Sequence, residues 1–205
     1  ENKLPKLIAL PTTAGTGSEV GGSFVISSKK NAKKIIVWSQ FLIPQYVVAD
    51  PELTLDLPPH ITASTGIDAL CHNVEAFLAK GYHPMCDGIA LEGVKLISQF
   101  LFKAYSTPND KEARKGMMMA SMMGAVAFQK GLGVTHSCSH ALSEVFDAHH
   151  GKANAVMFVP CMRFNFSGQE EKFTRLLTAV SSNDHNVETD FIIWLEKLLK
   201  RLDLD

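Results

Sequence analysis

The sequence predicts a protein in two parts, a short β-rich segment over residues 1–56 and an α-helical domain over residues 57–205. Runs rich in β-branched residues fill the first fifty positions and are separated by Gly, Pro, Ser or Lys. The stretch "DPELTLDLPP" ends that pattern, because its prolines disfavour both helix and strand. Beyond it, apolar residues recur at three- and four-residue intervals, which is typical of amphipathic helices.

The composition is that of a globular protein without a polyanionic partner. The chain has 205 residues, 46% of them apolar, which suffices for one sizeable core and a small second unit. Lys plus Arg number 20 and Asp plus Glu 21, so no net charge favours nucleic acid or an anionic membrane. The apolar run "MMMASMMGAVAF" is shorter than the ~20 residues of a membrane span, and "ENKLPK" is not a signal-peptide pattern. We therefore expect a cytoplasmic protein with reduced thiols.

Four strands are predicted in the first part. Each predicted strand is a short run with many β-branched or aromatic residues, bounded by residues that favour turns. In chain order the runs are "KLIAL", "GSFVIS", "KKIIVW" and "QYVVAD".

The second part contains four predicted helical stretches. The first runs from Thr65 to Lys80 and the second begins at Asp87. The third, "DKEARKGMMMASMMGAVAF", has acidic residues in its first turn, and its methionines are expected to fill the core. The last, "ETDFIIWLEKLLKRL", is amphipathic, with Thr189 predicted as its N-cap.

Two separate segments carry side chains that can hold a metal ion. In "DALCHNVEAF", Asp68 and His72 are four residues apart, so a helix would place them on one face, beside Glu75. The segment "GVTHSCSHALSEVFDAHHGKANA" holds half of the eight histidines of the chain. "HSCSH" lacks the glutamate of the HExxH zinc-protease motif, which disfavours a metalloprotease.

The histidines of the second segment can meet at one ion only if the chain turns between them. His136 and His150 are fourteen residues apart, about 21 Å along a straight helix. The stretch "EVFDAHHG" permits that turn, because Gly151 can adopt a positive φ and Asp147 can favour a break. One Asp with several imidazoles suits Fe²⁺ or Zn²⁺. On pattern alone, a solvated i,i+4 pair of Asp68 and His72 is an equally open interpretation.

On these segments the sequence resembles the iron-containing (group III) alcohol dehydrogenase family. The resembling stretches are "LPTTAGTGSEV", "VVADPELTLDLPPHITASTGIDALCHNVEAF", "HPMCDGIALEGVKLI" and "GLGVTHSCSHALSEVFDAHHGKANAVMFVP", which cover most of residues 7–160. The resemblance implies the C-terminal part of a dehydroquinate synthase-like/iron alcohol dehydrogenase fold. Residues 1–56 would be the tail of an α/β nucleotide-binding domain, and residues 57–205 an incomplete helical metal-binding catalytic domain.

The resemblance also implies a set of site residues. The metal, Fe²⁺ or Zn²⁺, would be held by Asp68, His72, His136 and His150. His140 matches a family histidine implicated in proton relay, whereas His149 has no counterpart among the ligands. Cys138 lies between two of the histidines, but thiolates favour softer metal sites.

The activity implied by the resemblance is an NAD- or NADP-linked oxidation of a small alcohol. Hydride would pass between the nicotinamide and a substrate whose oxygen is bound at the metal, which gives an aldehyde or ketone. The loop "PTTAGTGSEV" is rich in glycine and hydroxyl groups that can bind phosphate or ribose, although its pattern alone favours an ordinary tight turn. The positions matching family cofactor contacts are Thr12, Thr13, Thr16, Ser18, Lys34 and Leu53.

The chain also departs from the family pattern. The family carries a Gly-Gly-Gly-Ser motif and a cofactor-selecting acidic residue upstream of the loop, and this sequence contains neither. We therefore expect a fragment of a longer protein that binds metal but binds dinucleotide poorly. The alternatives are a non-catalytic metal-binding or assembly fragment, and a glycerol dehydrogenase or dehydroquinate synthase-like enzyme. By resemblance we expect a homo-oligomer.

Overall fold

The structure, a computed structural model, describes residues 5–28, 33–181 and 187–205. Short strands occupy the first fifty residues and helices follow to the end of the chain, as the sequence predicts. The strands are β1 (Ile8–Ala9), β2 (Ser23–Ser28), β3 (Lys33–Trp38) and β4 (Tyr46–Val47). The helices are α1 (Pro59–Leu78), α2 (Pro84–Ser106), α3 (Lys111–Ala127), α4 (Val134–Phe146), α5 (His150–Phe166), α6 (Glu170–Val180) and α7 (Val187–Arg201).

The strands form two separate pairs. β1 pairs with β4 in parallel, and β2 pairs with β3 antiparallel in a register that sets Phe24 opposite Val37. Strands β1 and β4 are only two residues long, shorter than the sequence runs from which they are predicted. Large apolar side chains of these strands stay exposed, among them Ile36 at 63% and Trp38 at 65%.

Helix α1 is the central element of the helical part. It begins at Pro59, six residues before the predicted start, because a proline at the first helical position sacrifices no intrahelical hydrogen bond. All residues from Gly66 to Leu78 are buried, since α2, α3 and α5 surround the helix. The polar residues of α1 therefore need partners inside the protein.

The predicted start of α3 agrees with the structure, whereas the predicted start of α7 does not. Asp110 caps α3 by accepting a hydrogen bond from the Ala113 N–H, which fits the acidic start of that stretch. Helix α7 begins at Val187, so Thr189 lies within its first turn and the predicted N-cap is wrong. Helices α4, α5 and α6 are not among the predicted helical stretches. Helix α5 contains Pro160 in its interior. A proline normally indicates the end of a helix, so the sequence pattern does not predict a helix here.

The methionines of α3 are expected to fill the core, and the cysteines are expected to be reduced. Met117 and Met118 are buried, but Met119 is 45% exposed on the outer side of α3. All four cysteines are free thiols. Among the described residues no helix is both long and apolar enough to cross a membrane.

Gly88 offers a test of helix propensity in this fold. It is an exposed residue of α2, and a Cβ atom added there would meet nothing within 4 Å. Gly88→Ala is therefore expected to raise the free energy of unfolding by about 0.5–1 kcal/mol, because alanine loses less backbone entropy in a helix. Urea denaturation of both proteins measures this difference. A destabilised variant would show that this face of α2 is covered.

Candidate metal centre

Three helices carry the predicted ligands, and three of the four, Asp68, His136 and His150, form one group of possible metal-ligating atoms. Helix α1 places Asp68 and His72 one turn apart, α4 supplies His136, and α5 begins with His150. Asp147 ends α4 in the left-handed region with φ 51°, a conformation that Asp adopts more readily than most residues. This break lets α5 return towards α1.

Gly151, the other residue that could have allowed the turn, has no positive φ, because it lies inside α5. Its small size serves close packing instead. A Cβ atom at Gly151 would lie 2.4 Å from the backbone oxygen of Ser64, so only glycine lets α5 approach α1 this closely. The approach carries His150, the preceding residue, to the carboxylate of Asp68.

Imidazole nitrogens from all three helices surround one carboxylate oxygen, Asp68 Oδ1. His72 Nδ1 and His136 Nε2 both lie 3.6 Å from this oxygen, and His150 Nε2 lies 3.4 Å from it. The ligand atoms of Asp68, His136 and His150 lie within 4.8 Å of one another, which is compatible with a shared ion. The i,i+4 pair of Asp68 and His72 is buried, so its interpretation as a solvated surface pair is wrong.

Two of these nitrogens are buried without a hydrogen-bond partner. They are His72 Nδ1 and His136 Nε2, and both point to the same oxygen from 3.6 Å. Buried polar atoms are nearly always paired, since an unpaired one costs about 1–3 kcal/mol. A divalent cation between them and Asp68 would satisfy both, and imidazole with carboxylate is a ligand set that Fe²⁺ and Zn²⁺ accept. The residues present therefore fit a metal.

Two further residues hold the carboxylate of Asp68. Thr16 Oγ1 donates a hydrogen bond to Oδ2 at 3.2 Å, so the glycine-rich loop contacts α1 directly. Asn154 Nδ2 donates to Oδ1 at 2.7 Å and also lies 3.3 Å from His150 Nε2. Asn154 is not among the predicted site residues, although it lies one helical turn after His150.

Burial and neighbouring charges shift the pKa values of the site residues in different directions. Burial alone would raise the pKa of Asp68, but the neighbouring histidines hold it well below its usual range. Burial lowers the pKa of His72 to about 4, which leaves that imidazole neutral near pH 7. Burial also acts to lower the pKa of His136, but the carboxylates of Asp68 and Glu75 outweigh it and raise the pKa to about 9. A cation bound at His136 would therefore displace a proton.

Other candidate residues of this segment lie around the cluster. His140 is half-buried, with its ring centroid 5.0 Å from that of His150 and 6.3 Å from that of His136. His149 is exposed at the start of α5. Cys138 is half-buried and does not belong to the group formed by Asp68, His136 and His150.

The predicted cofactor contacts lie mainly on the loop after β1. Thr12 and Thr13 are exposed, and Ser18 is an exposed residue beside a groove of about 310 Å³. Leu53 is 43% exposed in a short 3-10 helix before α1. The side chain of Lys34 lies outside the described residues. These residues remain predicted contacts.

Comparison with known families gives matches over nearly the whole chain. Residues 62–205 match the model of the Fe-containing alcohol dehydrogenase family, C-terminal. Residues 1–51 match the model of iron-containing alcohol dehydrogenase. Each match covers one of the two parts of the fold.

Individual relatives support the same assignment. The chain is 42% identical to 4-hydroxybutyrate dehydrogenase of Cupriavidus necator over 193 residues, covering 89% of the chain and 50% of the relative. It is 36% identical to NAD-dependent methanol dehydrogenase of Bacillus methanolicus over 190 residues, covering 92% of the chain and 50% of the relative. The crystal structure of a 1,3-propanediol oxidoreductase superposes with a TM-score of 0.95 and 31% identity, covering 100% of the chain and 55% of that structure. The chain thus spans about half the length of these relatives.

Proposed function

The chain belongs to the iron-containing alcohol dehydrogenase family, and we propose that it holds Fe²⁺ or Zn²⁺ for the NAD(P)-linked interconversion of an alcohol and an aldehyde or ketone. The observation that carries the proposal is the approach of three imidazole nitrogens to Asp68 Oδ1 within 3.4–3.6 Å. Two of those nitrogens are buried without another partner. Polar groups buried in this way are costly unless they are paired, and a cation would pair them.

The residues of the site would share the work of the reaction. The metal would supply Lewis-acid stabilisation of negative charge on the substrate oxygen. Asp68, His72, His136 and His150 would hold the metal. His140 lies beside His150 and is half-buried, a position from which an imidazole can pass a proton between the site and solvent.

The loop after β1 would hold the dinucleotide. The exposed hydroxyls of Thr12, Thr13 and Ser18 can bond phosphate or ribose oxygens, and the cofactor supplies the hydride acceptor. Thr16 links this loop to Asp68 through its hydroxyl, which supports a cofactor bound next to the proposed metal. A small primary alcohol or diol is the proposed substrate, because the matched relatives are named for methanol, 1,3-propanediol and 4-hydroxybutyrate.

Metal analysis with a cofactor titration tests the proposal. We expect the purified protein to bind about one Fe²⁺ or Zn²⁺ per chain at the four-residue site. Measured binding of NAD or NADP, and turnover of a panel of small alcohols and diols, would then support the dehydrogenase. Metal binding with no affinity for either dinucleotide would favour a non-catalytic metal-binding fragment. A protein that binds neither metal would contradict the proposal.

A further inference from the structure

We propose that Glu75 is a positioning residue of the metal centre, which fixes the His136 imidazole and the start of α4 so that His136 Nε2 faces Asp68. This inference rests on the proposed metal-binding function. It concerns a residue that would touch neither metal nor substrate and would act only through His136.

The first support is that Glu75 accepts three hydrogen bonds from α4. Its Oε1 atom accepts from the Thr135 N–H at 2.6 Å. Its Oε2 atom accepts from the His136 N–H at 3.1 Å and pairs with His136 Nδ1 at 2.7 Å. Glu75 is 1% exposed, so water does not compete for these bonds. Three donors meeting at one buried carboxylate indicate a dedicated contact.

The second support is that Glu75 replaces the missing cap of α4. The N-cap residue of α4 is Gly133, which has no side chain to accept hydrogen bonds from the first helical N–H groups. Glu75 provides those acceptors from α1, and its negative charge suits the positive end of the α4 dipole. A Cβ atom at Gly133 would lie 2.7 Å from Glu75 Oε1, so the close contact also requires glycine there.

The third support is the position of Glu75 on α1. Asp68, His72 and Glu75 are spaced i, i+4 and i+7, which places all three on one face of the helix. The same face therefore offers two predicted ligands and one residue that orients a third. His136 links Glu75 to Asp68, because its Nδ1 contacts Glu75 and its Nε2 lies 3.6 Å from Asp68 Oδ1.

The consequence is control over which nitrogen faces the metal. When His136 Nδ1–H donates to Glu75, the lone pair of a neutral ring is on Nε2, directed at Asp68. A carboxylate that receives the second ring N–H of a metal-bound histidine orients the ring and makes it a better ligand. A glutamine in place of Glu75 would fit the space, but its amide group would turn an N–H towards one of the three donors.

Glu75→Gln tests the inference through metal affinity. We expect Zn²⁺ to bind this variant about 10–100-fold more weakly than the unchanged protein. Glu144→Gln is the matched control, because Glu144 is exposed on α4, and its Zn²⁺ affinity should be unchanged. Competition with a chromophoric chelator measures both dissociation constants, and circular dichroism checks that the variants are folded. Equal affinity in the unchanged protein and Glu75→Gln would overturn the inference and leave the proposed function intact.

A measurement on the unchanged protein covers the case in which Glu75→Gln does not fold. In the zinc-loaded chain labelled with ¹⁵N-histidine, NMR should show His136 protonated at Nδ1, with a downfield proton shared with Glu75. His136→Ala identifies that signal by removing it. A His136 ring that carries its proton on Nε2 would overturn the inference, while the zinc bound would still support the proposed function. Absence of any zinc binding would overturn both.

Discussion

Asp68→Asn should bind Fe²⁺ or Zn²⁺ at least about 100-fold more weakly than the unchanged chain, a larger loss than the 10–100-fold typical of residues that only support a ligand. Asp68 supplies the oxygen around which the three imidazoles are arranged. It is also the site's negatively charged ligand, since imidazole ligands are neutral. Substitution by an amide of the same shape removes that charge with little change in packing.

The hydrogen bonds around Asp68 explain why an amide cannot replace its carboxylate without loss of metal affinity. Thr16 donates to one oxygen and Asn154 to the other, so a carboxylate can accept at both positions. Asparagine must turn its amide N–H₂ group towards one of these donors or towards the histidines. The variant therefore loses affinity through weaker attraction for the cation and through a misoriented oxygen ligand.

Isothermal titration with Zn²⁺ measures this prediction. Asp56→Asn is the matched control, because Asp56 is exposed and lies in the turn before α1. His136→Ala should resemble Asp68→Asn, since it removes a second predicted ligand. Full metal occupancy in either Asp68→Asn or His136→Ala would show that the ligand set is wrong.

The sequence predicts the larger features of the fold because local patterns determine them. The strand runs carry β-branched residues between turn residues, and they form β1 to β4 close to the predicted positions. Once a helix is predicted over this stretch, the four-residue spacing of Asp68 and His72 places both side chains on the same face of it. In contrast, α5 is not predicted, because Pro160 lies in its interior and apolar residues do not mark a single face.

The parts of the site that escaped prediction depend on tertiary contacts. Glu75 and Asn154 are fully buried polar residues, and no local pattern distinguishes them from polar residues on a solvated face. Glu75 contacts His136 and Asn154 contacts Asp68 across 61 and 86 residues of chain, so local spacing does not predict these two contacts. The turn that unites His136 and His150 is predicted at two candidate residues, and the structure uses only Asp147.

The close approach of α5 to α1 leads to a prediction about stability as well as metal binding. Gly151→Ala is expected to lower the free energy of unfolding by about 3 kcal/mol, at the upper end of the range for overpacking. The neighbour that the new Cβ atom would meet at 2.4 Å is the backbone oxygen of Ser64. A backbone atom of a buried helix cannot rotate away as a side chain can, so α5 itself must shift.

A shift of α5 would also move His150, which precedes Gly151 and lies 3.4 Å from Asp68 Oδ1. Gly151→Ala should therefore lose Zn²⁺ affinity together with stability, and added Zn²⁺ should raise its melting temperature less than that of the unchanged chain. Thermal unfolding with and without Zn²⁺ separates the two effects. Gly88→Ala is the control, because the same change in open space should stabilise the protein. If Gly151→Ala kept both its stability and its response to zinc, the close approach of Gly151 to Ser64 would not be what positions His150 at Asp68.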